Sequence, residues 1–133
     1  DVLEVARSYG FRCANMFHAG DGNLHPALMF DPNDAGVLDK VLDCAGEIMR
    51  LCVESGGAIT GEHGVGLEKR SFMEWIYSEN DLRAMENIRT AFGPADLFNP
   101  CKILPSGHGC AVGHAAEISQ MISSDTDKAG LYV

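Results

Sequence analysis

Between Phe17 and Pro26 the chain reads Phe-His-Ala-Gly-Asp-Gly-Asn-Leu-His-Pro. The Asp21-Gly22 pair at its centre constrains the fold more than any other dipeptide. Asp-Gly favours a two-residue type I′ hairpin turn, because that turn needs positive φ at both central positions. A turn there makes Arg12 to Gly20 and Asn23 to Phe30 the two arms of a hairpin. It also sets the pairing: Gly20 opposite Asn23, Ala19 opposite Leu24, and His18 opposite His25. Two imidazoles then share one face, with Cβ atoms about 5 Å apart, within reach of a single cation. On one continuous strand, residues seven apart would point to opposite faces. The alternative reading is a pair of ordinary histidines with no shared task.

The arms are rich in Phe, Met and Leu. Ala14, Met16, Ala27 and Met29 fall on the histidine face, and Phe17, Leu24, Leu28 and Phe30 on the other. Both faces are apolar, which predicts helices over one of them and a second domain over the other; in the chain alone, self-association through Met16, Phe17, Leu28 and Met29 is expected instead. Pro26 removes a ladder donor and predicts an edge position for the second arm, or a bulge at its start.

The flanks read as helices. Asp1 to Tyr9 carries Val2, Leu3 and Ala6 on one side, with Gly10 as a stop. Asp31-Pro32-Asn33-Asp34 is a turn able to cap a helix. Leu38, Val41, Leu42, Ala45, Ile48, Met49 and Cys52 then recur at helical spacing as far as Ser55, before Gly56-Gly57. Ala58-Ile59-Thr60 predicts a short strand, and Glu68 to Tyr77 a short helix with Phe72, Met73 and Ile76 inward. Ser78-Glu79-Asn80-Asp81 resembles a capping box, opening a helix with Leu82, Met85, Ile88 and Phe92 on one face and Gly93-Pro94 at its end. Beyond Pro105 the periodicity fades, apart from a turn or two around Ala115 to Ile122. The last ten residues are expected to be mobile.

The chain has 133 residues, sized for one domain, with 46% hydrophobic and 22% charged residues, a balance that fits a globular protein rather than a disordered one. A net charge of −9 argues against nucleic acid as a partner, which would want clustered Lys and Arg. No apolar run reaches the roughly 18 residues of a membrane span, and the opening residues lack the pattern of a signal peptide. Cys13, Cys44, Cys52, Cys101 and Cys110 are five in number and show no Cys-x-x-Cys spacing, so neither a disulfide framework nor a thiolate zinc site is indicated. Cys44 and Cys52 read as small buried hydrophobes. A reducing, cytoplasmic setting follows as an expectation.

Gly61-Glu62-His63-Gly64-Val65-Gly66 lacks both the Gly-Lys-Ser/Thr ending of a phosphate loop and the Gly-x-Gly-x-x-Gly order of a dinucleotide fold. It does place a carboxylate beside an imidazole, between glycines that let a ligand approach the backbone. Glu62 with His18 and His25 makes a two-histidine, one-carboxylate set, suited to a divalent ion such as zinc, manganese or cobalt with positions left for substrate oxygens. In an extended segment His63 points away from Glu62, which suits a base beside the substrate better than a fourth ligand. For Glu62-His63 alone, a plain polar turn is the competing reading.

Three stretches taken together carry a resemblance: His-Ala-Gly-Asp-Gly-Asn-Leu-His-Pro from His18, Gly-Gly-Ala-Ile-Thr-Gly-Glu-His-Gly-Val-Gly from Gly56, and Phe-Asn-Pro-Cys-Lys-Ile from Phe98. In order and separation they resemble the C-terminal cap region of the FAD-linked oxidases related to vanillyl-alcohol oxidase. Within that superfamily they are similar to the flavin-bearing subunit of bacterial glycolate oxidase and to the D-lactate and D-2-hydroxyglutarate dehydrogenases. The resemblance covers about Val2 to Pro105, so residues 1–105 read as the cap region and 106–133 as a tail.

It implies an α+β cap, a ferredoxin-like antiparallel sheet covered by helices with a helical C-terminal segment, packed over a flavin. It further implies a metal on His18, His25 and Glu62, a substrate contact from Asn23, His63 as the base, and Asn99 and Lys102 near the cofactor. The implied reaction oxidises a 2-hydroxy acid such as glycolate or D-lactate to the 2-keto acid, with hydride passing to FAD. The FAD would be held mainly by an N-terminal domain of the same protein that these residues do not include, leaving this part inactive alone. An iron–sulfur partner subunit is also implied, and with it a place in the cytoplasm or at the inner face of the membrane. Two points stand out: Cys101 occupies a position where the family usually has Gly, which bears on the backbone contact with the flavin domain near Asn99 and Lys102, and the basic residues that commonly clamp the substrate carboxylate are expected upstream of Asp1. A free-standing metal- or partner-binding module and a small metal-dependent hydrolase are the alternatives from other classes.

Overall fold

The structure is a computed structural model and describes residues 1–93, 99, 102–105 and 131–132. The chain divides into two compact units, one of Asp1–Gly57 with Ala115–Val133 and the other of Ala58–His114. The architecture is α+β, consistent with part of a cap domain.

In the first unit, helix α1 (Val2–Ser8) leads into strand β1 (Arg12–His18), which pairs antiparallel with β2 (Asn23–Met29). Gly10, at φ 77°, supplies the left-handed residue that ends α1. Helix α2 (Val37–Glu54) follows, and a two-residue strand β3 (Leu131–Tyr132) pairs with Leu28 and Ala27, giving the order β1-β2-β3. The predicted turns near Ala115 lie outside the described residues, as does most of the tail expected to be mobile. Pro26 sits not on an edge strand but on the central one, where β3 takes up pairing one residue later, at Ala27.

The hairpin register departs from the Asp-Gly expectation. His18 pairs with Asn23, Phe17 with Leu24 and Met16 with His25, so the loop is the four residues from Ala19 to Gly22. Among the described non-glycine residues only Asn99 and Ile103 have positive φ, and a type I′ turn would require it of Asp21. Instead the His18 carbonyl accepts from the N–H of Asp21 at 3.3 Å and of Gly22 at 2.9 Å, with Gly22 left-handed at φ 77°. The Asp21 carboxylate accepts from the Asn23 N–H at 3.0 Å. A side chain that competes this well for local backbone donors favours the longer loop.

One face of the sheet packs on the helices. Leu28 is fully buried with Val2, Ala6, Phe11, Val41, Cys44 and Ile48, and Cys13 and Phe30 line the edge of the cluster. Burial pushes the Cys44 thiol up to about 11, leaving it an inert core group. Cys52 is only half-buried, against expectation, and Cys13 and Cys44 are free thiols. Leu28, expected among the residues at a subunit contact, is thus core. On the histidine face Met16 stays 61% exposed, and near the tip Phe17 stays 62% exposed.

Helix α2 forms as its periodicity predicts, but Asp31-Pro32-Asn33-Asp34 does not cap it. Asp31 accepts from the backbone and side-chain nitrogens of Asn33, and left-handed Gly36 is the N-cap. Its C-terminus closes as a Schellman motif, with Gly56 donating to Val53 at 2.9 Å and Gly57 to Cys52 at 2.8 Å. No helix among the described residues is long and apolar enough to cross a membrane.

In the second unit Ile59 is buried, but its segment is a bend rather than the predicted strand. The predicted short helix is a 3-10 helix, Arg70–Trp75, that buries Met73 and leaves Ile76 exposed. Helix α3 (Glu79–Phe92) begins with the predicted capping box, Ser78 Oγ and the Asp81 backbone and carboxylate bonding reciprocally. Bonds from the Ser78 hydroxyl and backbone N–H hold the Asp81 carboxyl below its usual range. None of its residues is fully buried; Phe92, on the predicted apolar face, is 83% exposed.

Core position Leu28 and surface position Ile88 make a paired test of this packing. Leu28→Ala should cost about 2–5 kcal/mol and Ile88→Ala less than about 0.5 kcal/mol, read as shifts in the urea midpoint at unchanged m-value.

Candidate functional site

Both histidines of the hairpin lie on one face because the register shift is two residues rather than one. A shift of two preserves the side of the sheet that each residue faces. His25, opposite Met16, is diagonal to His18, which stands opposite Asn23. The ring centroids of His18 and His25 lie 5.2 Å apart with planes at 75°. With a metal–nitrogen bond of about 2.1 Å, an imidazole centroid stands roughly 3.2 Å from the ion, and two rings at a tetrahedral angle are then about 5 Å apart. The separation suits two ligands of one divalent cation. Asn23, beside His18 on the same face, is held by its backbone bond to Asp21.

On the second unit, Glu62 and His63 occupy the bend between Gly61 and Gly64. The segment is not extended. His63 Nε2 lies 3.8 Å from Glu62 Oε1, and both side chains are about half-exposed; the expectation that His63 points away from Glu62 is corrected. The bend is closed by Thr60, whose Oγ1 accepts from the Gly64 N–H at 2.9 Å. Gly64 and Gly66 have φ of 87° and 57°, backbone that only glycine adopts at no steric cost.

Asn99 and Lys102 are found on a tight loop of the same unit, with Lys102 Nζ donating to Asn99 Oδ1 at 3.3 Å. Cys101, the departure from the family pattern, lies outside the described residues. The loop is strained: Asn99 has φ 47° and Ile103 φ 78°. For a β-branched residue such as Ile103 this costs on the order of 1–3 kcal/mol. Two sets of bonds hold it. Ile103 N–H donates to Gly66 O at 2.8 Å, which stitches the loop to the Glu62-His63 bend. From α3 the Arg89 guanidinium donates through Nη1 to Lys102 O at 3.0 Å and through Nη2 to Asn99 O at 2.9 Å.

Thr60 and Arg89 are absent from the sequence-derived set. Thr60 stands directly before the glycine-rich motif and could have been suspected as a side chain that folds back on it. Arg89 carries no such signal, since its partners are 10 and 13 residues away and its position on α3 reads as part of a polar face. Arg70, buried at 3% exposure, likewise carries no local signal of its burial.

The family model for FAD linked oxidases, C-terminal domain, matches residues 1–103. Glycolate oxidase subunit GlcD of Escherichia coli is 41% identical over 110 residues, which are 83% of this chain and 22% of that protein. GlcD of Bacillus subtilis is 36% identical over 102 residues, 77% of this chain and 22% of the relative. A mitochondrial D-lactate dehydrogenase [cytochrome] of Arabidopsis thaliana is 34% identical over 98 residues, 74% and 17% of the two chains. The chain thus spans about a fifth of the length of the curated relatives it matches. No solved structure matches it significantly. Matched over residues 1–103, the chain belongs to the family of FAD linked oxidases, C-terminal domain.

Proposed function

We propose that residues 1–105 are the substrate- and metal-binding cap of an FAD-dependent 2-hydroxy acid oxidoreductase of the glycolate or D-lactate type, with residues 106–133 a tail outside it. The observation that carries this reading is the histidine pair, 5.2 Å apart on one face of the hairpin, in a chain of a family whose relatives are named for glycolate and D-lactate. His18 and His25, with Glu62 as the carboxylate, supply the nitrogen and oxygen donors a zinc, manganese or cobalt ion takes, and three protein ligands leave room for a substrate's carboxylate and hydroxyl oxygens.

Asn23, beside His18 in the hairpin, hydrogen-bonds the substrate and orients it. His63 accepts the hydroxyl proton of the 2-hydroxy acid at a ring nitrogen. When bound, the cation supplies polarisation of the hydroxyl and the flavin supplies a hydride acceptor. Asn99 and Lys102 offer polar contacts toward that flavin, which an N-terminal domain of the same protein holds. Electrons leave through a partner such as an iron–sulfur subunit, in the cytoplasm or at the inner face of the membrane.

Roles separate by mutation in the full-length protein. His63→Ala should lower kcat by about 10²–10⁴ with metal content unchanged, and His18→Ala should lose metal and activity together. Metal analysis beside glycolate and D-lactate turnover reads both, and equal metal loss in the two variants would make His63 a ligand instead of a base.

The exposed apolar side chains of the hairpin, Met16 and Met29 on the histidine face and Phe17 on the other, further lead us to propose that residues 1–133 alone self-associate, a two-fold dimer being the commonest way to cover exposed apolar surface. Sedimentation at micromolar concentration should show the dimer, and Met16→Lys with Phe17→Lys should return a monomer. A soluble wild-type monomer would remove the hairpin from any docking role.

A further inference from the structure

Within the second unit, hydrogen bonds link two motifs that lie more than thirty residues apart in sequence. The Glu62-His63 bend is closed by Thr60 on Gly64 and joined at Gly66 O to Ile103 N–H. Ile103 follows Lys102, whose carbonyl, with that of Asn99, is gripped by Arg89 from the last turn of α3. Both outlying φ values of the loop, at Asn99 and Ile103, belong to residues this network restrains. A backbone in such conformations persists only where its surroundings over-determine it, and a planar guanidinium with two amino groups on two different carbonyls is a rigid way to do so.

We propose that Arg89 is a positioning residue: its two-carbonyl grip holds Asn99 and Lys102 in place and, through the Ile103–Gly66 bond, fixes the bend that carries Glu62 and His63. It touches no substrate and exchanges no proton. The helix acts as a post, and the strained loop is a strut between the post and the bend. This rests on the proposed oxidoreductase reading only for what the bend does; the mechanical link stands on the hydrogen bonds themselves.

The test compares Arg89→Met and Arg89→Lys in the full-length flavoprotein with Arg83→Met as control. Arg83 is on the same helix and pairs with Glu79 at 2.6 Å on the surface. Amide hydrogen exchange is the first readout. In Arg89→Met the amides of Lys102, Ile103 and Gly64 should exchange on the order of tenfold faster, the factor for losing a typical hydrogen bond, while α3 amides from Met85 to Ile88 keep their protection. Arg89→Lys should restore part of that protection, and Arg83→Met should change none of it. Steady-state kinetics is the second readout: kcat on a 2-hydroxy acid should fall about tenfold in Arg89→Met, with KM within about twofold and flavin content unchanged.

Unchanged exchange at Ile103 and Gly64 in Arg89→Met overturns the proposal, as does equal loss of protection along α3, which would make Arg89 a helix-stability residue. Should Arg89→Met fail to fold, Arg89→Lys decides: full protection at Ile103 and Gly64 with one donor group shows that the two-carbonyl grip is not needed. A wild-type protein that oxidises no 2-hydroxy acid would sink the oxidoreductase reading and leave the exchange result to judge Arg89 separately.

Discussion

Leu28 decides the geometry of the first unit. Fully buried under α1 and α2, it commits β2 to one orientation, because a slip of one residue would carry Leu28 into water and bring Met29 and Ala27 into the core. That orientation puts His25 on the opposite face and, through the β1 pairing, His18 beside it. The relation of the two imidazoles is thus a consequence of hydrophobic burial on the other side of the sheet. No polar interaction between the histidines is needed to bring them together. A core that buries Leu, Val, Ile and Cys on one face leaves the other free to carry chemistry.

The second unit works differently. Among its described residues few are fully buried, Ile59, Met73 and Arg70 being three, and α3 buries none completely. What gives its motif loops definite shapes is hydrogen bonding from side chain to backbone: Thr60 to Gly64, Ser78 with Asp81, Arg89 to Asn99 and Lys102. Bonds of this kind contribute about 1 kcal/mol each, more where a charge is involved. They fix geometry more than they supply stability. A unit built in this way concentrates its precision in a few polar contacts, and single substitutions there should shift loop positions without unfolding the domain.

The parts legible in the sequence were those governed by local periodicity. Helix α2 follows from Leu38, Val41, Ala45, Ile48 and Met49 at helical spacing and the Gly56-Gly57 stop, and the Ser78 cap follows from the identity of Asp81 three residues on. The shared face of His18 and His25 was legible too, because any even shift of the hairpin preserves it. The turn type was not, since Asp-Gly sits equally well at the end of a four-residue loop when the Asp21 carboxylate binds the Asn23 N–H. Burial alone does not distinguish a strand from a bend at Ile59, and the helical spacing that turns Ile76 inward does not reach it, because the 3-10 helix ends at Trp75 and leaves Ile76 as its C-cap. The family motifs pointed to Glu62, His63, Asn99 and Lys102, but nothing local pointed to Arg89, whose partners are set by how the loop returns to the helix.

Glycine and its absence tell the same story at the two motif loops. Gly64 and Gly66 take left-handed backbone that costs glycine little, so the bend carrying Glu62 and His63 can be held by one threonine hydroxyl and one backbone bond. Ile103 takes left-handed backbone that its branched side chain resists, and it sits where a charged fork and a 2.8 Å bond to Gly66 both bear on the chain. A glycine at 103 would remove the strain but would also free the loop to adopt other conformations, raising the entropy lost when it orders. The isoleucine, with its limited backbone freedom, leaves fewer alternatives once Arg89 has taken hold of the carbonyls on either side of the cysteine. Strain at one residue and rigidity at its neighbours are therefore two results of the same arrangement, and Lys102, between the outlying Asn99 and Ile103, is the side chain whose position they determine.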